Sequence, residues 1–86
     1  MQGSEHHVKD FDALADLFNL LSNPERLRII ALLGEGEKDV SALQQATGIS
    51  ISSVSQHLKS LREASIVAFR QQGKYRIYRL ANGSVA

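Results

Sequence analysis

The sequence predicts a mainly α domain that closes with a β-hairpin, and three observations carry the prediction. Apolar residues recur at three- and four-residue steps over most of residues 9–63, the period of helices with one buried face. Gly48 and Ser50 interrupt that period once, and it restarts at Ile51, as at a tight turn between two helices. Residues 66–80 become β-branched and aromatic on either side of Gly73, the composition of two short strands and a turn.

Taken in order, residues 1–8 lack periodicity and are expected to be a flexible arm. His6 and His7 are adjacent within it. Neighbours point in different directions on regular structure, and no carboxylate–histidine cluster follows, so the pair reads as tail rather than as a metal-ligand fragment. Residues 9–21 form the first helix. Phe11, Leu14, Phe18 and Leu21 make one stripe, and Ala13, Leu17 and Leu20 make a second beside it. Asp10 and Asp12 sit in the first turn, where carboxylates complement the helix dipole. The combined apolar arc is wider than the roughly 100° that one buried face needs. Part of it, Phe11, Leu14, Leu17 and Phe18, is therefore expected to meet another subunit.

Asn23 is expected to cap a second helix, with Pro24 at its first position. That helix runs to Leu33, with Leu27, Ile30, Ala31 and Leu33 inward, Arg26 and Arg28 outward, and Gly34-Glu35-Gly36 as its end. Glu37–Asp39 reads as a connector. Val40 to Thr47 reads as a short helix with Val40, Leu43 and Ala46 inward and Gln44 and Gln45 outward.

Gly48 can take the left-handed conformation that ends a helix. Ser50 is a good N-cap, and Ile49 and Val54 have the spacing of a hydrophobic staple around it. Helix 51–64 then buries Ile51, Val54, Leu58 and Leu61. Its other face is Ser52, Ser53, Ser55, Gln56, Lys59 and Arg62, with no carboxylate before Glu63. Hydroxyls and cations hold phosphate oxygens, and an amide can read a base edge. Ile66–Arg70 is expected as a strand, Gln71–Lys74 as the turn and Tyr75–Leu80 as the returning strand. Tyr78 and Leu80 pack on the helices, and Arg70, Lys74 and Arg76 gather at the turn end. The predicted architecture is a winged helix-turn-helix of about four helices plus a two-stranded wing, over residues 9–81, with residues 82–86 as a flexible tail. An ordinary solvated helix face and an ordinary β-turn are the alternatives that local pattern leaves open.

Composition narrows the class. Eighty-six residues make one domain, and a chain this short buries only about 60% of its unfolded surface, so association would help it. The absence of cysteine excludes disulfides, cysteine redox sensing and thiolate metal sites. No apolar run approaches the roughly 18 residues of a membrane span, and the N-terminus lacks a signal-peptide core, so the expected location is cytoplasmic and no membrane partner is expected. Charge is unevenly spread. Residues 1–49 carry four basic and eight acidic side chains, net −4, and residues 50–86 carry six basic and one acidic, net +5. A basic half beside an acidic half is the footprint of a polyanion-binding face with a separate body.

Three segments carry a resemblance: Leu21-Ser22-Asn23-Pro24-Glu25-Arg26-Leu27-Arg28-Ile29-Ile30, Gly48 through Ala64, and Gly73-Lys74-Tyr75-Arg76-Ile77-Tyr78-Arg79-Leu80. In order and spacing they resemble the ArsR/SmtB family of winged helix-turn-helix repressors, over residues 10–81. The resemblance implies a homodimer on a near-palindromic DNA operator, repressing transcription until an inducer releases it. Metal-sensing members carry a cysteine box on the short helix before the recognition helix. Here Asp39 and Ser41 stand in its place, and neither offers a thiolate to a soft metal. The second type of family metal site uses a helix after the wing, for which the residues from Ala81 to Ala86 leave no room. No metal and no cofactor is expected.

The expected roles follow. Ser52, Ser53 and Gln56 face the major groove, with Gln56 the best candidate for direct readout of adenine. Ser55, His57, Lys59 and Arg62, with Arg70, Lys74 and Arg76 of the wing, are placed for phosphates; for His57 the alternative is a hydrogen bond to a neighbouring helix. An enzyme would need a nucleophile–base pairing, and none is visible. A winged-helix module for protein–protein contact would lack the basic wing and the Ser/Gln-rich face. Charge asymmetry alone leaves RNA open as a partner.

Overall fold

The computed structural model describes the backbone of residues 2–81 and the side chains of residues 10–81. Its elements are α1 (Gln2–Leu21), α2 (Pro24–Gly34), β1 (Lys38–Asp39), α3 (Val40–Thr47), α4 (Ile51–Glu63), β2 (Val67–Gln72) and β3 (Tyr75–Leu80). The side chains of His6 and His7 and the expected tail 82–86 lie outside the described residues.

The helix boundaries follow local chemistry. Asn23 Oδ1 accepts from the backbone N–H groups of Glu25 and Arg26 at 2.9 and 3.1 Å, and Pro24 begins α2 where no N–H is needed. Gly48 has φ 75° and sends its N–H to the Gln44 carbonyl at 2.8 Å, closing α3. The Ser50 hydroxyl accepts from the Ser53 N–H at 3.1 Å, opening α4. The end of α4 uses a device that no glycine announces. Ser65 takes φ 63°, its N–H reaches the Arg62 carbonyl, and the Ile66 N–H reaches the Leu61 carbonyl, each at 2.9 Å. These two bonds are the Schellman closure, and they turn the chain from α4 straight into β2.

Ile29, Leu33, Leu43, Val54, Leu58, Leu61, Val67 and Tyr78 form the core. It joins α2, α3, α4 and the sheet, and among the described residues α1 adds only Leu20 at its edge. Each fully buried aliphatic here contributes about 1.5–3 kcal/mol relative to exposure. Four residues expected inside lie nearer the surface. Leu27 is 48% exposed and Ile51 49%, and Ala31 and Ala46 are also exposed. α2 is rotated so that Ile29 and Leu33 point inward, and Ile51 begins α4 in a first turn that projects beyond the core.

Three further differences concern the start of α1, the sheet and the wing turn. α1 starts at Gln2 rather than at residue 9; once a helix is nucleated, each added residue gains a backbone bond at little cost. The sheet has three strands in the order β1-β3-β2, where a two-stranded wing was expected. The supposed connector supplies β1, with Lys38 opposite Tyr78 and Asp39 opposite Ile77, so β3 is a central strand. The wing turn is also tighter than predicted. β2 runs through Gln72, which pairs with Tyr75, leaving Gly73 and Lys74 as a two-residue connection. Only Gly73, at φ 61°, is left-handed there, the pattern of a type II′ hairpin turn.

Candidate nucleic-acid interface

α4 is held by its buried side. Val54, His57, Leu58 and Leu61 face inward, and this phase leaves Ser52, Ser55, Gln56, Lys59 and Arg62 exposed and Ser53 half-buried. The outer face thus carries the expected hydroxyl, amide and cationic groups. Around the first turn the hydroxyls interact. Ser50 Oγ donates to Ser53 Oγ at 3.1 Å and lies 3.3 Å from Ser52 Oγ. The Ser53 hydroxyl hydrogen stays available to an outside acceptor. Ser52, Ser53, Gln56 and the edge of His57 line one shallow hollow, so the three residues expected at a base edge do converge.

His57 does not join the phosphate-facing set. It is 9% exposed and both ring nitrogens are engaged by α2. Arg26 Nε donates to Nδ1 at 3.2 Å, and Nε2 stands 2.8 Å from Glu25 Oε1. An accepting Nδ1 places the imidazole hydrogen on Nε2, which therefore donates to the carboxylate. The phosphate role expected for His57 is corrected to the alternative, a hydrogen bond to a neighbouring helix, because no ring nitrogen remains for an outside group. Arg26, expected on the outer side of α2, is half-buried and also donates from Nη1 to the Leu20 carbonyl at 3.0 Å.

The wing cations divide. Lys74 and Arg76 are exposed, and with Asp39, Ser41 and Tyr75 they line a recess between the wing tip and the start of α3. Arg70 is exposed too, but its Nη2 is paired with Glu37 Oε1 at 2.9 Å and its Nη1 donates to Gln72. The Arg70 hydrogen bond, and its charge with that of Arg79, hold the Glu37 carboxyl below its ordinary value. Arg70 is thus tied to a carboxylate 33 residues away, a partner that local sequence could not announce. Arg62 and Arg76 both lie over the ring of Phe69, a residue that the sequence reading assigned no role.

Asp39, at the place of a metal-box cysteine, serves a structural purpose. Its Oδ1 accepts from the Ala42 N–H at 2.9 Å as the N-cap of α3. Among the described residues no group of three or more potential ligands gathers into a metal site, and no helix is long and apolar enough to cross a membrane. Of the residues expected at a subunit interface, Phe11, Leu14 and Phe18 are 68%, 44% and 62% exposed. Leu17 is half-buried and turns toward a groove shared with Leu20, Ser60 and Ala64.

Comparison with known proteins places this arrangement. Residues 23–68 match the family described as bacterial regulatory protein, arsR family. The chain is 40% identical over 82 residues to the biofilm growth-associated repressor of Xylella fastidiosa, covering 95% of this chain and 72% of that protein. It is 36% identical over 83 residues to the HTH-type transcriptional regulator Rv0324 of Mycobacterium tuberculosis. That match covers 96% of this chain, which spans only 37% of the relative's length. Among solved structures, a Mycobacterium bovis winged helix-turn-helix DNA-binding domain described as homodimeric superposes with a TM-score of 0.80 at 33% identity, covering 91% of this chain and 72% of that one. The chain belongs to the arsR family of bacterial regulatory proteins, a family of transcriptional regulators and not of enzymes.

Proposed function

We propose that the protein is a dimeric repressor that binds a near-palindromic DNA operator through α4 and the wing. The observation that carries this reading is the outer face of α4, where Ser52, Ser55, Gln56, Lys59 and Arg62 are exposed and no carboxylate precedes Glu63. In the proposed complex Gln56 contacts a base edge, with Ser52 and Ser53 beside it. Ser55, Lys59 and Arg62 hold phosphates of the same groove, and Lys74 and Arg76 hold backbone at the flank. Arg70 contributes only when it leaves Glu37.

The dimer is proposed through α1, whose Phe11, Leu14 and Phe18 lie uncovered, and the homodimeric relative from Mycobacterium bovis supports it. Two-fold symmetry then sets two α4 helices against successive major grooves about 34 Å apart, which calls for a near-palindrome. Repression is supported by the Xylella fastidiosa relative, a repressor by name. The signal for release is proposed to be something other than a thiolate-bound metal. The chain has no cysteine, and Asp39 is engaged as a helix cap.

Selection from a random double-stranded DNA library at about 150 mM salt, where sequence-independent binding is weakened, tests the proposal. Enrichment of a near-palindromic motif with half-sites one helical turn apart is the expected result. Recovery of no motif above background overturns it.

A further inference from the structure

Phe69 sits on β2 with its ring half-buried against the core, 5.3 Å from the Tyr78 ring and tilted 48° to it. Tyr78 is its direct cross-strand partner and is itself buried, so the Phe69 ring is backed by a fixed neighbour. Two guanidiniums lie over this ring. That of Arg76, diagonal to Phe69 across the β2–β3 ladder, is 4.4 Å from the ring centroid. That of Arg62, in the last turn of α4, is 5.4 Å away. Both distances are within cation–π range.

What the two arginines lack is as informative. Arg26 and Arg70 use their guanidiniums on His57, Leu20, Gln72 and Glu37. Neither Arg62 nor Arg76 has a carboxylate within ion-pair distance among the described residues. Gathering two like charges on one ring is electrostatically unfavourable. The ring face offsets part of that repulsion and also limits the rotamers of two flexible side chains.

We infer that Phe69 is a positioning residue of the DNA interface, its ring holding Arg62 of α4 and Arg76 of the wing as a pair aimed at one stretch of phosphodiester backbone. The inference rests on the reading of α4 and the wing as the DNA-binding surface. Through this pair the wing and the recognition helix meet the backbone as one unit, with the side-chain ordering done before binding.

The test is the affinity of the chain for a random-sequence duplex at fixed salt, measured for the native protein and for Phe69→Leu, Phe69→Tyr, Arg76→Gln and Phe69→Leu/Arg76→Gln, with thermal unfolding recorded alongside. Phe69→Leu is expected to weaken binding about threefold, the scale of one exposed cation–π contact. Phe69→Tyr keeps the ring face and retains native affinity. Arg76→Gln costs less in the Phe69→Leu background than in the native chain. Equal losses for Leu and Tyr at position 69, or strictly additive losses in the double variant, overturn the inference while leaving DNA binding intact. If Phe69→Leu unfolds, the native protein decides. The Nε–Hε NMR signals of Arg62 and Arg76 both shift on adding duplex, and a shift at one alone or at neither overturns the pairing. A native chain that binds no duplex even at low salt overturns the DNA reading itself, and the positioning role with it.

Discussion

Nε2 of His57, in the middle of α4, donates to Oε1 of Glu25 in the first turn of α2 across 2.8 Å. On the other ring nitrogen Arg26 Nε donates at 3.2 Å, and the same guanidinium reaches the Leu20 carbonyl near the end of α1. The imidazole therefore joins α4 to α2, and the Arg26 guanidinium carries the link on to α1. His57→Ala leaves a cavity and strips Glu25 and Arg26 of a partner, so it is expected to lower stability by about 2–4 kcal/mol, read by urea unfolding. Under conditions where the variant stays folded, its DNA salt slope should match the native one. A slope smaller by about one unit would mean that His57 touches a phosphate after all.

The Glu37–Arg70 pair makes a pH prediction with a definite sign. Arg70 holds the folded-state Glu37 carboxyl below its ordinary 4.5, so the unfolded chain takes up a proton first as pH falls. The pair's contribution to stability is fully present above the ordinary value, declines as pH drops through it, and is gone below the lower folded midpoint. Glu37→Gln is expected to flatten the acid limb of the stability curve slightly, because the pair is exposed. The same variant releases Arg70, so duplex binding should tighten and the salt slope should steepen by up to about 0.9. Weaker binding by Glu37→Gln would show that the carboxylate aims Arg70 rather than restraining it.

Gln56 and Lys74 separate readout from attachment. Gln56→Ala is expected to lose about 1–3 kcal/mol of discrimination at one base pair, with binding to random duplex little changed. Lys74→Ala should weaken binding to all sequences and reduce the salt slope by about one unit. Parallel selections with each variant measure both. A Gln56→Ala chain that loses affinity equally for operator and random DNA would remove the readout role.

Phe18 tests the proposed dimer surface. Its side chain is 62% exposed, so Phe18→Glu should leave the fold and its circular dichroism unchanged. A carboxylate placed in an apolar interface is costly to desolvate, so sedimentation should show a shift to monomer at micromolar concentration. The variant should also lose cooperative occupation of paired half-sites. An unchanged sedimentation coefficient would place the subunit contact elsewhere.

Elements with local causes were readable in advance. Asn23, Pro24, Gly48 and Ser50 act on neighbours within four residues in the chain, so composition and spacing alone could locate the starts of α2 and α4 and the end of α3. The face of α4 was readable for the same reason, since helical period orders its side chains. β1 was not. Two residues are too few to show a period, and Lys38 and Asp39 become strand only because Tyr78 and Ile77 lie opposite.

The sequence by itself determined the helical frame, the turn that presents α4, the charge asymmetry and the groups on the recognition face, because each follows from residues near one another in the chain. Only the tertiary structure decided which cations of that basic half are available. It drew His57 inward to Glu25 and Arg26, tied Arg70 to Glu37, and set Arg62 and Arg76 over Phe69. His57 and Arg70 meet partners at least 31 positions away, and Arg62 and Arg76 meet Phe69 on another element. A charge's partner depends on distance in space, which periodicity along the chain does not encode.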